Sequence, residues 1–172
     1  PVTSSSRKIF VTEDVKHSIP LDEIRGGGPP KDGIPSVDAP KFISIKEADA
    51  FLDDTSDIGL GIEVKGEARF YPYQILVWHE IVNDTIQDEP VLVTYCPLCA
   101  TGVAFDRRVD GEAREFGVSG LLWESNLLMY NRTPGAGKET IWARFLKGTG
   151  LIRGDSFTDD ASLCHRCWVR QS

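Results

Sequence analysis

No run of apolar residues in this 172-residue chain approaches the ~20 needed to cross a bilayer, which excludes a membrane-spanning helix. Nor is there a basic stripe with interleaved aromatics. The formal net charge is −7, so the surface repels nucleic-acid phosphates and anionic membranes, and nucleic-acid binding is excluded as a role. No segment repeats at a fixed period. A signal peptide is missing too: the chain opens "PVTSSSRKIF", polar and without Met, a start that fits a processed or trimmed chain. Cysteine is scarce, at four, but its placement is regular: Cys96 with Cys99 and Cys164 with Cys167 form two C-x-x-C pairs. What remains is ordinary for a globular protein, with 41% hydrophobic and 26% charged residues in a length that suits one domain with a real core.

Three regions follow from the composition. Residues 1–40 form a Gly/Pro-rich arm or loop, because "RGGGPPKDGIP" fits neither a helix nor a central strand. Residues 41–147 carry the periodic segments of the core domain, and residues 148–172 form an irregular tail. Within the core, "SIKEADAFLDD" opens with Ser44 and Glu47 at capping-box spacing, which predicts a helix. "IGLGIEVKGEARFYP" predicts a hairpin turning at Lys65-Gly66. "YPYQILVWHEIVND" predicts a short buried helix running to Asn83-Asp84, and "EPVLVTY" a buried strand that delivers Cys96 at its end. "GVAFDRRVDGEAREFGVSG" predicts a second hairpin at Asp110-Gly111, with "LLMYNR" and "TIWARF" as further strands. The expected fold is a single α+β domain, mainly antiparallel sheet with hairpins and about two short helices.

The C-x-x-C of Cys96 and Cys99 stands where a rigid strand ends, and its spacing lets both sulfurs point one way. Such a pair can form a disulfide, react as a thiolate, or grip one metal ion. Small buried thiols are the plainer reading. The strand-like "ATGVAFDR" that follows does not fit the helix that opens after this motif in a thioredoxin fold. His79 sits in an apolar segment just before the cysteine-bearing strand, where it can serve as base or third metal ligand; a packed core imidazole is the alternative. Asp106 and Arg107 alternate on the next strand, so one of them faces inward, and an inward Arg107, or Arg132 beyond it, can hold an anionic group. "TPGAGKETIW" lacks the Gly and the Ser/Thr of a phosphate loop, and "GGGPP" lacks the strand-turn-helix frame of a dinucleotide site. "LCHRCW" places His165 inside its cysteine pair, which excludes haem attachment; with Cys96 and Cys99 it could complete a four-thiolate metal site.

Five stretches in order, "DEIRGGGPPKDGIPSVDAPKF", "ARFYPYQILVWHEIVND", "PVLVTYCPLCATGVAFDRRVDG", "FGVSGLLWESNLLMYNR" and "TIW", resemble the bacterial and archaeal family known as domain of unknown function 3179, over about residues 22–142. The resemblance implies that "WHEIVND", "YCPLC", "AFDR" and "SGLLWESNLLMYNR" are the motifs by which the family is recognised. It thereby singles out His79, Glu80, Asn83, Asp84, Cys96, Cys99, Asp106, Arg107, Ser119 and Arg132, and implies an extracytoplasmic setting. The C-terminal "LCHRCWVRQS" departs from the family pattern.

The function expected from these residues is thiol–disulfide or metal-dependent redox chemistry by an oxidoreductase-like domain. Cys96 is the expected nucleophile or metal-binding thiolate, Cys99 the resolving thiol or second ligand, and His79 the base or third ligand. Arg107, Arg132, Asp106 and Ser119 are the expected substrate contacts. A zinc, copper or iron ion is the cofactor such ligands would take, and a small molecule or a redox protein the partner. The competing expectation is a non-catalytic binding module whose cysteines hold structural zinc or a disulfide.

Overall fold

A computed structural model of the chain describes residues 10–12, 15–17, 19–52, 57–132 and 139–144. The second cysteine pair, Cys164 and Cys167 with His165, lies outside the described residues. Strands β1 (Phe10–Thr12) and β2 (Val15–His17) form a small antiparallel ribbon. Two short strands follow, β3 (Arg25–Gly26) and β4 (Val37–Asp38), then helix α1 (Ile45–Ala48). The expected capping box is present: Ser44 Oγ accepts from the Glu47 N–H, and the Glu47 carboxylate accepts from the Ser44 N–H at 2.9 Å.

Strands β5 (Gly59–Val64) and β6 (Glu67–Pro72) make the expected hairpin, with Lys65 and Gly66 both at positive φ, as a two-residue turn of this hand requires. Helix α2 (Tyr73–His79) comes next, then β7 (Ile81–Ile86), β8 (Glu89–Cys96) and β9 (Thr101–Asp106). The helix stops earlier than the sequence predicts. Glu80 caps it in the left-handed region, and "IVNDTI" is strand, so Asn83 and Asp84 lie on β7 rather than at a helix end. The misreading has a physical source: β7 is buried on both faces, so its apolar residues show no period of two. The second hairpin, β10 (Arg108–Val109) with β11 (Glu112–Ala113), turns at Asp110-Gly111 as expected. Strands β12 (Glu115–Trp123), β13 (Asn126–Arg132) and β14 (Ile141–Ala143) are the last of the described elements.

Among the described residues the fold is mostly β, with two short α-helices. Two four-stranded sheets organise it: β4-β7-β8-β9, in which only β4 runs parallel to its neighbour, and the antiparallel β14-β13-β12-β3. Strand β8 shows how they stack. Val91, Val93 and Tyr95 face a core shared with Leu60 and Ile62 of the β5–β6 hairpin and Leu76 of α2. Leu92 and Cys96 face the opposite way, against Phe116, Val118, Leu127, Met129 and Trp142 of the second sheet. The β4-β7-β8-β9 sheet is therefore the middle of three layers, which is why "PVLVTYC" reads as an unbroken apolar run. Each fully buried aliphatic side chain there contributes roughly 1.5–3 kcal/mol. The Gly/Pro-rich segment threads along this sandwich: β3 pairs with β12, β4 with β7, and the Gly27 and Asp32 amides donate to the carbonyls of Gly120 and Val118.

Candidate functional site: the dithiol turn at the end of the sandwich

Strand β8 ends at Cys96 and turns through Pro97–Ala100 into β9, so the C-x-x-C is the β8–β9 connection. Alternation sends Cys96 into the space between the two sheets, where it is 1% exposed and its thiol donates to the Ser125 carbonyl at 3.9 Å. Cys99, on the turn itself, is exposed. Both are free thiols, and the Cys99 thiol donates to the Cys96 carbonyl at 3.8 Å. Cys96, the expected nucleophile, is thus the buried thiol, and Cys99 is the accessible one.

A residue that the sequence reading passed over completes the site. Arg144 follows β14 and is 1% exposed, the largest side chain so deeply buried among the described residues. Its Nη2 donates to the Thr101 carbonyl at 2.7 Å and to Thr101 Oγ1 at 3.0 Å, and its charge acts on both Cys96 and Cys99. Thr101 Oγ1 stands 3.0 Å from Cys99 Sγ. A guanidinium can only donate, so the Thr101 hydroxyl accepts from Arg144 and keeps its own proton to offer to the sulfur. The chain Arg144–Thr101–Cys99 is a relay of donors that ends at the Cys99 sulfur.

The electrostatics agree. Desolvation is the largest influence on Cys99 and pushes its thiol up, but the Thr101 hydroxyl, the Cys96 thiol and the Arg144 charge together bring it below the ordinary thiol value. Burial lowers Arg144, opposed by the charges of Cys96, Cys99 and Glu80. Glu80 is half-buried; desolvation raises its carboxyl, against the pull of Arg144. Its carbonyl accepts from the Tyr95 N–H at 2.8 Å, which ties the end of α2 to the residue before Cys96. On the other side, the Tyr73 hydroxyl packs against Gly102, where a Cβ would come within 2.8 Å of it. Glycine at 102 leaves room for that ring beside the turn.

The other residues singled out by sequence take places in the scaffold. His79 turns away, its Nδ1 donating to the Pro35 carbonyl at 2.8 Å. Among the described residues no three His, Cys, Asp or Glu side chains gather as metal ligands, so His79 does not join the two sulfurs in a three-ligand set. The three nitrogens of Arg107 donate to the Asp84 carbonyl, the Arg114 carbonyl and Thr85 Oγ1 at 3.0–3.1 Å. Asp106 accepts from the Arg108 backbone at 2.8 Å and side chain at 2.6 Å. Arg132 donates to Asp38 and Ser36, each at 2.6 Å. Ser119 sits at the irregularity in β12, donating to the Leu128 carbonyl and accepting from the Leu121 N–H. Asn83 matches its amide to both backbone groups of Phe116 at 2.8 Å, and Asp84 holds Arg69 and Tyr71 of the hairpin. A cleft of about 940 Å3 lies between the 40–52 segment and the β5–β6 hairpin, lined by Phe42, Phe51 and Phe70, and includes neither cysteine nor Arg144.

The family model described as "Protein of unknown function (DUF3179)" matches residues 31–152, a span that takes in the dithiol turn and Arg144. No curated protein and no solved structure matches the chain.

Proposed function

The chain belongs to the DUF3179 family, and from that premise we propose that it is a thiol–disulfide oxidoreductase whose working group is the Cys96–Cys99 dithiol. The observation that carries the reading is the fully buried Arg144 set against an exposed cysteine through the Thr101 hydroxyl. A cation in that position costs desolvation, and it stabilises an anion that forms only when Cys99 ionises.

In this reading Cys99 is the attacking thiolate and Cys96 the resolving thiol. The Cys99 thiolate attacks one sulfur of a substrate disulfide. A Cys99–substrate S–S bond forms as the substrate's own S–S bond breaks, and the departing thiolate takes a proton from water. Cys96 then loses its thiol proton to solvent at the turn and attacks the Cys99 sulfur, releasing the second substrate thiol. The protein is left with a Cys96–Cys99 disulfide and the substrate with two thiols. A dithiol reductant reverses the protein's oxidation by the same exchange.

Alkylation of the reduced protein with iodoacetamide across pH tests this. Cys99 is expected to react as a thiolate with a pKa below the ordinary value of about 8.5, and Cys96 to stay protected until unfolding. Oxidised glutathione is expected to produce a Cys96–Cys99 disulfide, distinguished from Cys164 and Cys167 by peptide mapping, reversed by dithiothreitol and abolished in Cys99→Ser. An ordinary Cys99 pKa with no reversible disulfide would overturn the proposal. One zinc per chain, released only on unfolding, would instead assign the cysteines to structural metal binding.

A further inference from the structure

The apolar cleft beside the β5–β6 hairpin plays no part in the thiol chemistry. Six large apolar side chains that the fold leaves exposed, Phe42, Ile43, Ile45, Phe51, Phe70 and Ile75, all line it, with Phe51 78% and Ile45 84% exposed. Apolar surface gathered in one place, rather than scattered singly, marks a binding surface. One side of the cleft is a sheet edge. All six residues of β6 border it, and among the described residues β5 is the one strand paired with β6. The hairpin turn fixes which main-chain groups face outward. Val64 and Glu67 flank a two-residue turn and so form a hydrogen-bonded pair, as do Ile62 with Arg69 and Leu60 with Tyr71 by alternation. The Tyr73 N–H, donating to the Ile58 carbonyl at 2.9 Å, continues the same ladder. Ala68 and Phe70 therefore turn their N–H and C=O groups away from β5, and among the described residues no hydrogen bond reaches those groups. Both residues are exposed. Pro72, the next outward position, has no N–H to offer.

We propose that this cleft binds an extended, apolar polypeptide segment, which adds to β6 as a third strand of the hairpin sheet. The outward groups of Ala68 and Phe70 supply main-chain hydrogen bonds, and the phenylalanines supply apolar contact for the segment's side chains. The charges of the lining suit an uncharged segment. Lys41 and Arg69 offset Glu63 and Glu67 there, although the chain as a whole carries −7. Arg69 is already committed, to Asp84 and to Glu67 at 2.6 Å each, and its guanidinium lies 4.7 Å from the centre of the Phe42 ring. It is a wall of the groove and not a free anion site. A second copy of this chain fits poorly, since a two-fold pair needs a self-complementary surface and two recessed edges cannot meet. An apolar small molecule would leave the edge groups of β6 without partners. The cleft and the dithiol share no residue, so the proposal does not depend on thiol chemistry.

The test titrates the full chain into fluorescein-labelled, acetylated octapeptides that alternate threonine with leucine, isoleucine, valine or phenylalanine, and reads fluorescence polarisation. At least one peptide is expected to bind saturably, with a dissociation constant below about 100 μM. Its fully N-methylated counterpart keeps the side chains but has no N–H, and is expected to bind at least about tenfold more weakly. Ala68→Pro removes one outward N–H without breaking a bond to β5, and Phe51→Ala removes an exposed wall. Each is expected to weaken binding roughly threefold or more with an unchanged melting temperature. Should Ala68→Pro fail to fold, Phe51→Ala and the methylated peptide still decide. No saturable binding up to about 1 mM overturns the proposal, as does unchanged binding in Phe51→Ala, which would place the peptide elsewhere. Equal binding of the methylated peptide overturns strand addition and leaves apolar contact alone. A wild type that sediments as a dimer, and as a monomer in Phe51→Ala, would give the cleft to a second copy and overturn it too.

Discussion

In the proposed thiol–disulfide reading, the Thr101 hydroxyl is the group that holds the Cys99 thiolate. Because Arg144 Nη2 donates to Thr101 Oγ1, the threonine proton is directed at the Cys99 sulfur 3.0 Å away. Hydrogen bonds to ionised groups contribute about 1.5–3 kcal/mol, less where solvent competes. Thr101→Val, equal in shape but without the hydroxyl, should slow Cys99 alkylation at pH 7 roughly three- to tenfold. Thr101→Ser should restore most of it. A valine variant as reactive as wild type would mean that the hydroxyl does not hold the thiolate. Threonine carries no sequence signal for this role, since β-strands commonly contain it, and Arg144 reads in "TIWARF" as one more strand cation. Cys96 and Cys99 were legible because C-x-x-C spacing is itself the signal. Which sulfur is exposed was not, since that depends on which sheet face the last residue of β8 meets.

At the scale of elements, the polar residues of β7 join the three layers. Asn83 replaces a missing strand neighbour, exchanging two hydrogen bonds with Phe116 of β12 and donating a third to Asp38 at 2.7 Å. Asn83→Ala would leave a buried N–H and C=O of Phe116 unpaired, each costing about 1–3 kcal/mol. Chemical denaturation should therefore show a loss of roughly 2–4 kcal/mol. Arg107 acts similarly at the other end of β9, so Arg107→Ala should cost stability of about 1–3 kcal/mol while leaving the Cys99 alkylation profile unchanged. A changed profile in a folded variant would return Arg107 to the site. Turns show where sequence signals stop. Lys65-Gly66 and Asp110-Gly111 announce themselves by glycine, but Gln87-Asp88 and Glu124-Ser125 take positive φ at both residues without one. The last of these supplies the carbonyl that meets the Cys96 thiol.

Across the whole molecule, ion pairs fasten the outer layers to the middle one. Lys65 of the hairpin turn and Arg108 both hold Glu89, bringing its carboxyl down to about 2. Burial raises Asp38, but the Asn83 amide and Arg132 outweigh it and leave the carboxyl below its ordinary value. Both groups titrate lower in the fold than in the unfolded chain. Their stabilisation is therefore present above the unfolded carboxylate range of about 4 and is lost as pH falls toward about 2. The melting temperature should drop across that window, and the drop should be smaller in Glu89→Gln, which has no proton to take up. An equal drop in the variant would place the acid sensitivity elsewhere.

The sequence by itself determined the hairpins with glycine turns, the capped first helix, the buried strand that ends in Cys96 and the family to which the chain belongs. These are local or pattern-level properties, set by backbone preference, side-chain period and short motifs. Only the packed layers decide that "IVND" is strand, that the motif arginines and acids mostly hold the layers together, and that Arg144 reaches the dithiol turn through Thr101, more than forty residues away in sequence. Burial on both faces erases the period that tells strand from helix, and charge partners are chosen by how layers stack, which no stretch of chain encodes alone.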